Sequence, residues 1–206
     1  FVAQARGSGA RVSLASEAVL DAMSETRQPQ GLIAVCPLAT RPLSDVIGGL
    51  STPTPLVVVL DRVSDPGNAG TIIRTADAMG ADAVVFTEGS VDPHNGKCVR
   101  STAGSLFHLP IAAEAPPAEV IAALREAGLS LVSADAHAAH SLDAAGDLLR
   151  GPVAWVFGSE AHGLSDAWRD AAHTSVGIPM AQGVESLNLA ASAAICLYAT
   201  AHARRT

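Results

Sequence analysis

Ser186 and Asn188 stand in the stretch GIPMAQGVESLNLA (Gly177–Ala190), where a short apolar strand end breaks into a polar loop and then enters an alanine-rich helix expected to span Ser186–Arg204. A helix N-terminus offers unpaired backbone N–H groups and a partial positive charge. A loop containing Gly183 lets backbone and ligand approach closely. The stretch therefore reads as a site with two polar side chains aimed into it. The plainer alternative makes Ser186 an N-cap and Asn188 a surface residue. A second constellation runs from Asn68 to Arg74 (NAGTIIR), after a Pro66-Gly67 turn. Asn68 is placed to cap a helix. Arg74 lies roughly 200° round that helix from Ile72, at about 100° per residue, and so projects away from the buried face. Its fork of donors suits a phosphate, or assists removal of a proton from a hydroxyl. The alternative is a surface pair with Asp77. The third is Gly158-Ser-Glu160-Ala-His162-Gly163. A glycine at a strand end suggests close contact with a ligand. Glu160 is placed to orient Arg74 through a bidentate pair, or else is a solvated carboxylate. His162 reads as loop punctuation.

Several chemistries are excluded. Leu164 stands where a P-loop needs lysine, and no G-x-G-x-x-G occurs. His137 and His140 have a metal-like spacing, but no cysteine or acidic cluster supplies a third ligand, so no metal is expected.

Positioning these groups falls to alternating strands and helices. Residues 1–13 are small and polar and read as loose, Ser16–Met23 as a helix, Gly31–Val35 as a short strand and Leu43–Leu50 as a helical turn or two. GLSTPTP, ending at Pro55, carries two prolines and is a linker candidate. LVVVL (Leu56–Leu60) is a continuous β-branched run, expected of a strand covered on both faces. There follow a helix at Ala69–Met79, a strand at Ala83–Phe86, a long loop from Thr87 to Ser105, a helix at Pro117–Ala127 and strands at Leu129–Ser133 and Val153–Phe157. A helix near Leu164–Ala172, a strand at Ser175–Ile178 and the final helix complete the chain. This alternation predicts βαβ units and a parallel α/β sheet. Ligands of such sheets sit beyond the carboxyl ends of the strands, where all three constellations fall.

Composition sets the remaining bounds. With 49% hydrophobic and 16% charged residues the chain has ample material for a core. Aromatics are 3%, which argues against base-stacking platforms. The net charge of -7 falls entirely after Pro55 and disfavours non-specific nucleic-acid binding. Attraction to RNA must be local, through Lys97/Arg100 and Arg6/Arg11. Three cysteines, Cys36, Cys98 and Cys196, form no C-x-x-C pair and point to free thiols in a reducing cytoplasm. The apolar run at Ala190–Ala201 is too short and interrupted to span a membrane.

Together the three blocks LDRVSDPGNAGTIIRTADAMGAD, VFGSEAHGLS and IPMAQGVESLNLAASAAICLY resemble motifs one, two and three of the SpoU (TrmH-like) 2′-O-ribose RNA methyltransferases of the SPOUT superfamily. KCVRSTAGSLFHLPI (Lys97–Ile111) is similar to family sequences too, and the resemblance covers residues 56–206 almost completely. More loosely, residues 1–50 resemble the end of an L30-like RNA-binding domain, with 51–55 as linker. The resemblance implies a parallel-sheet domain with a C-terminal trefoil knot, a homodimer with its sites at the interface, and S-adenosylmethionine held by Ser133, Ala134, Gly158, Ile178, Met180 and Leu187. It places the family's catalytic positions on Asn68, Arg74, Glu160, Ser186 and Asn188. The implied reaction is methylation of a ribose 2′-OH in structured RNA, ribosomal RNA first and transfer RNA second. A non-catalytic RNA-binding protein of the same fold and a base-directed methyltransferase are the alternatives.

Overall fold

The structure is a computed structural model that describes residues 1–26, 29–136 and 138–206; His137, half of the histidine pair noted above, lies outside them. The chain forms two compact units, Phe1–Pro37 and Leu38–Thr206. The division thus falls at Pro37, ahead of the expected linker at 51–55.

The first unit holds two short helices, α1 (Val2–Gly7) and α2 (Glu17–Met23). Residues 1–13 are therefore not wholly loose. The strand expected at Gly31–Val35 does not form: those residues pair with no strand. Leu32 and Val35 are exposed, so the apolar run has neither a ladder nor a core to hold it extended.

The second unit begins with α3 (Leu43–Gly48), which buries Val46 and Ile47. Then come β1 (Leu56–Asp61), α4 (Pro66–Ala78), β2 (Ala83–Thr87), α5 (Gly96–Ser101), β3 (Ile111–Ala115), α6 (Pro117–Glu126) and β4 (Ser130–Ala134). The remainder is β5 (His140–Ser141), α7 (Gly146–Arg150), β6 (Val153–Gly158), α8 (Asp166–Ala171), β7 (Thr174–Gly177) and α9 (Leu189–Ala203). β3, β5, α5 and α7 lie where the sequence suggested loop or nothing definite. α5 forms inside the expected Thr87–Ser105 loop because the Asn95 side chain accepts the Lys97 N–H and caps it.

The sheet is parallel throughout, in the order β3-β2-β1-β6-β4-β7-β5. All six residues of β1 are buried, the mark of a strand covered on both faces. Alternate side chains feed two cores. Val58, Leu60, Phe86, Trp155 and Phe157 pack with α4 and α9. Val57, Val59, Val85 and Val156 pack with α3, α6 and α8. Each such aliphatic is worth roughly 1.5–3 kcal/mol against exposure.

Two contacts fix α9 to the sheet. The indole N–H of Trp155 donates to the Thr200 hydroxyl at 2.8 Å. Arg204, just past the helix, donates to the carbonyls of Leu149 (3.1 Å), Gly151 (2.8 Å) and Pro55 (3.3 Å). Burial moves its pKa down. α4 lies against α5 at Gly70, where a Cβ would meet the Cys98 carbonyl oxygen at 2.4 Å.

Candidate active site

β4, β6 and β7 end side by side, and beyond their carboxyl ends lies a cavity of about 650 Å³. All six residues expected to hold a cofactor line it: Ser133 and Ala134 close β4, Gly158 closes β6, Ile178 and Met180 follow β7, and Leu187 precedes α9. Glu160, Ser186 and Asn188 line it too. Asn68 reaches it through hydrogen bonds. Arg74 is not among its lining residues.

The loop after β6 folds tightly on itself. Ser159 N–H donates to the Gly163 carbonyl at 3.1 Å, and Gly163 N–H returns to Ser159 at 2.8 Å. A Cβ on Gly158 would meet the Gly163 carbonyl carbon at 2.4 Å. Gly158 is therefore required by the approach of its own chain, whatever else touches it. His162 sits in this turn, its N–H on the Ser159 hydroxyl at 3.3 Å.

Two helix starts bring the polar groups together, and both begin differently from expectation. α4 is capped by Asp65, whose carboxylate accepts the Asn68 N–H at 2.7 Å. Pro66 fits the first helical position, where its missing N–H costs nothing. Asn68 is thus the cap's partner, and its side-chain amide is left to bond elsewhere. α9 starts at Leu189, because Asn188 is its cap: Oδ1 accepts the N–H groups of Ala190 (3.0 Å) and Ala191 (3.2 Å). Ser186 stays in the loop ahead of it.

Asn68 Nδ2 donates to Glu160 Oε1 at 2.5 Å, and Asn188 Nδ2 donates to Asn68 Oδ1 at 3.1 Å. The direction of this chain is forced. An ionised carboxylate only accepts and a helix N–H only donates. With Glu160 at one end and the first turn of α9 at the other, both amides must point their nitrogens toward Glu160.

Arg74 is exposed and makes no ion pair among the described residues. Neither expected partner takes it. Glu160 is engaged by Asn68, and Asp77 Oδ2 pairs with His108 Nδ1 at 2.9 Å. A hydrogen bond from Ser105, then one from His108, lowers the Asp77 pKa. Lys97 Nζ lies 3.0 Å from Asp65 Oδ2. The Asn68 N–H first, and then Lys97, holds the Asp65 carboxyl below its ordinary value. Arg100, Arg6 and Arg11 lie on the surface, wholly or in part; the last two belong to the first unit.

Sequence reasoning passed over Asp61, Ser175 and Arg169. Asp61 is fully buried and advertised itself only as an acid ending an apolar run. Ser175 shares a 2.7 Å hydroxyl contact with Ser133, a pairing that sequence does not display. Among the described residues Arg169 is the one cation on the cavity wall.

The cavity's chemistry suits a nucleoside carrying a charged amino-acid tail. Phe157, Leu164 and Ile178 give apolar faces, Ser133 and Ser175 give hydroxyls, and Asp135 and Arg169 give opposite charges. Its volume lies inside the range of small-molecule sites.

The family described as SpoU rRNA methylase matches residues 55–198, and that described as RNA 2′-O ribose methyltransferase substrate binding matches residues 1–42. The 23S rRNA (guanosine-2′-O-)-methyltransferase RlmB of Nitrosomonas europaea is 36% identical over 200 residues, 95% of this chain and 76% of that one. The 23S rRNA (guanosine(2553)-2′-O)-methyltransferase RlmP of Bacillus subtilis is 34% identical, over 92% of this chain and 72% of that one. Among solved structures, the AdoMet-bound rRNA methyltransferase from Sinorhizobium meliloti superposes with a TM-score of 0.76 at 32% identity, over 97% of this chain and 74% of that one. The SpoU methyltransferase AviRb from Streptomyces viridochromogenes, in complex with AdoMet, gives 0.72 at 36% identity, over 80% and 62%.

Proposed function

The chain belongs to the SpoU rRNA methylase family, and from that premise we propose that it transfers a methyl group from S-adenosylmethionine to a ribose 2′-hydroxyl of 23S ribosomal RNA. The observation that carries this reading is the meeting of Asn68, Glu160 and Asn188, from three separate segments, at the rim of the cavity that Ser133, Gly158 and Leu187 line.

When bound, S-adenosylmethionine supplies a methyl on a sulfonium, an electrophile that requires an in-line nucleophile at near-attack distance. The chain's residues do the rest. Ser133, Ala134, Gly158, Ile178, Met180 and Leu187 hold the cofactor and keep water off it. Glu160, Asn68 and Asn188 form one rigid edge against which the target ribose is set. Ser186, beside Asn188, offers its hydroxyl to the same ribose. Arg74 presents a planar fork of donors that matches a phosphate. It grips a phosphate next to the target, and a non-bridging oxygen of that phosphate takes the 2′-hydroxyl proton.

Several finer readings belong to the same proposal. The late strands β6 and β7, which flank β4, support a trefoil knot in the C-terminal region. Ile195 and Tyr198, exposed on α9, support a homodimer with its sites at the interface. Residues 1–50, with 51–55 as linker, act as an L30-like RNA-binding segment before the methyltransferase domain at 56–206. Arg6, Arg11, Lys97 and Arg100 carry the local charge that meets RNA. Among the described residues no helix is long and apolar enough to cross a membrane. The cytoplasmic place belongs to the proposal through its substrate, ribosomal RNA, and not through that observation.

Labelled methyl transfer to unmodified ribosomal RNA, and separately to transfer RNA, followed by alkaline digestion, tests the reading. A labelled alkali-resistant dinucleotide from ribosomal RNA is expected; label in a mononucleotide would move the methyl to a base and overturn it. Arg74→Ala is expected to abolish transfer while cofactor affinity stays within about threefold, as befits a group that touches only the RNA. A large loss of cofactor affinity would place Arg74 in the cofactor site instead.

A further inference from the structure

Asp61 ends β1 as the register partner of Gly158, the last residue of β6. Its carboxylate is fully buried and joins three elements. Oδ1 accepts the Thr87 hydroxyl from the end of β2 at 3.1 Å. Oδ2 accepts the backbone N–H of Ser165, the N-cap of α8, at 2.8 Å. Arg62 Nε stands 3.7 Å from the same oxygen. Gly158 and Ser165 are the two ends of the loop that carries Glu160 and walls the cavity with Gly163 and Leu164. One buried side chain thus sits at the root of that loop and pins its far end.

We propose that Asp61 is a positioning residue: it closes the Gly158–Ser165 loop over the cofactor cavity and so sets where Glu160 meets Asn68. This rests on the methyltransferase reading for its functional consequence, though not for its geometry. Nothing in the sequence motifs assigns Asp61 contact with cofactor or RNA, and its burial rules out such contact in this conformation. The alternative is a carboxylate that merely stabilises the fold. Removing the side chain tells the two roles apart. A fold-only role lowers the melting temperature and leaves the folded protein's cofactor affinity intact. A loop-positioning role weakens the cofactor site and frees the loop even in protein that remains folded.

Three variants separate these. Asp61→Ala removes both acceptors. Asp61→Asn keeps one acceptor and, with its amide nitrogen turned toward the Thr87 oxygen, still receives the Ser165 N–H. Ser165→Pro deletes that N–H together with a hydroxyl that makes no hydrogen bond among the described residues; Ser165 has φ −67°, which a proline ring adopts unstrained. Affinity for S-adenosylmethionine is measured by calorimetry, and amide exchange is followed for the 159–164 segment against the β2 segment as an internal standard. Ser165→Pro is expected to weaken the cofactor about tenfold, the scale of one unmet buried hydrogen bond, and Asp61→Ala more, with Asp61→Asn between wild type and alanine. Exchange in the loop should speed up in Ser165→Pro and Asp61→Ala while β2 stays protected. Because Asp61→Ala removes the acceptor of the very bond that Ser165→Pro deletes, adding Ser165→Pro to Asp61→Ala should cost little beyond Asp61→Ala alone. Should Asp61→Ala fail to fold, Ser165→Pro still decides. Cofactor affinity within about twofold of wild type, with unchanged loop exchange in folded Ser165→Pro, would overturn the proposal. If wild type itself binds no cofactor, the methyltransferase reading fails, and loop exchange alone still tells whether Asp61 holds the loop.

Discussion

Asp65 caps α4 and Asn188 caps α9, and the two caps are built from different chemistry. The Asp65 carboxylate accepts the Asn68 N–H with one oxygen and meets Lys97 with the other. Both its oxygens face ordinary structural partners, and its only service to the site is to free the Asn68 amide. Asn188 divides its amide: the oxygen caps the helix and the nitrogen donates to Asn68. A cap that only accepts can hold a helix. A cap that also donates can pass the helix's polarity outward, here through Asn68 to Glu160. The first start is therefore expected to tolerate change in activity terms, and the second is not.

The largest expected break is Asn68→Ala. It leaves the Asp65 cap intact, since that uses the backbone N–H, yet it severs the link between the Glu160 loop and α9. Methyl transfer should fall about a hundredfold, the scale of a misplaced reacting group, with the melting temperature nearly unchanged; a rate within threefold of wild type in single-turnover kinetics would show the chain to be idle. Next is Asn188→Asp, which keeps the helix cap and even suits the helix dipole, but sets an acceptor against Asn68 Oδ1. Turning Asn68 round only moves the conflict to Glu160. A loss of about tenfold is expected. The informative partner is Glu160→Gln. In the double variant the chain of hydrogen bonds can run backwards: the introduced glutamine amide donates to Asn68, and Asn68 donates to the introduced carboxylate at the α9 cap. Methyl transfer should then recover beyond what adding the single effects allows. Simple additivity would mean that hydrogen-bond direction is not what the site reads.

Smaller effects belong to the first start. Asp65→Ala should cost about 1 kcal/mol of stability, the ordinary worth of a cap, and leave the methyl-transfer rate within twofold, as judged by parallel denaturant melts and initial rates. Acid should erode the same region. Asp65 and Asp77 both have folded pKa values below the ordinary 3.8. A depressed carboxylate contributes stability above its unfolded pKa and loses it as pH falls through the folded one. Their contribution is thus complete above about pH 5 and fades as pH falls below the ordinary 3.8 and through the lower folded values. The stability difference between wild type and Asp77→Asn should shrink as pH falls through that window.

Much of this was legible in the residue string. LVVVL announces a strand covered on both faces, and the alternation of strands and helices predicts the parallel sheet. The six expected cofactor residues, named through the family resemblance, are found on one cavity wall: they close β4 and β6, follow β7 or precede α9. Hydrogen-bond partners were less legible. Asn68 looks like a cap because it opens an apolar helix; Asp65, three residues earlier and followed by proline, takes that place. Glu160 looked like a partner for Arg74 because opposite charges attract, yet a distance of 92 residues along the chain hides which polar group the fold brings to it. The strand expected at Gly31–Val35 failed for a related reason: a local apolar run becomes a strand only where a neighbour completes its ladder. β3, by contrast, is the short run IAAEA, and it forms because β2 offers it an edge.

Arg204 has a bearing on how the protein is made. Pro55 leads into β1, the strand around which the sheet is laid, and its carbonyl is bonded by a guanidinium 149 residues later. The same side chain also holds the carbonyls of Leu149 and Gly151, just ahead of β6. During synthesis β1 emerges early, but the groups at its start wait for a residue that leaves the ribosome long afterwards. β6, which must slide in between β1 and β4, arrives late as well. The second unit therefore completes its folding only once the α9 end of the chain is free, as expected where bonds of long sequence separation close the structure.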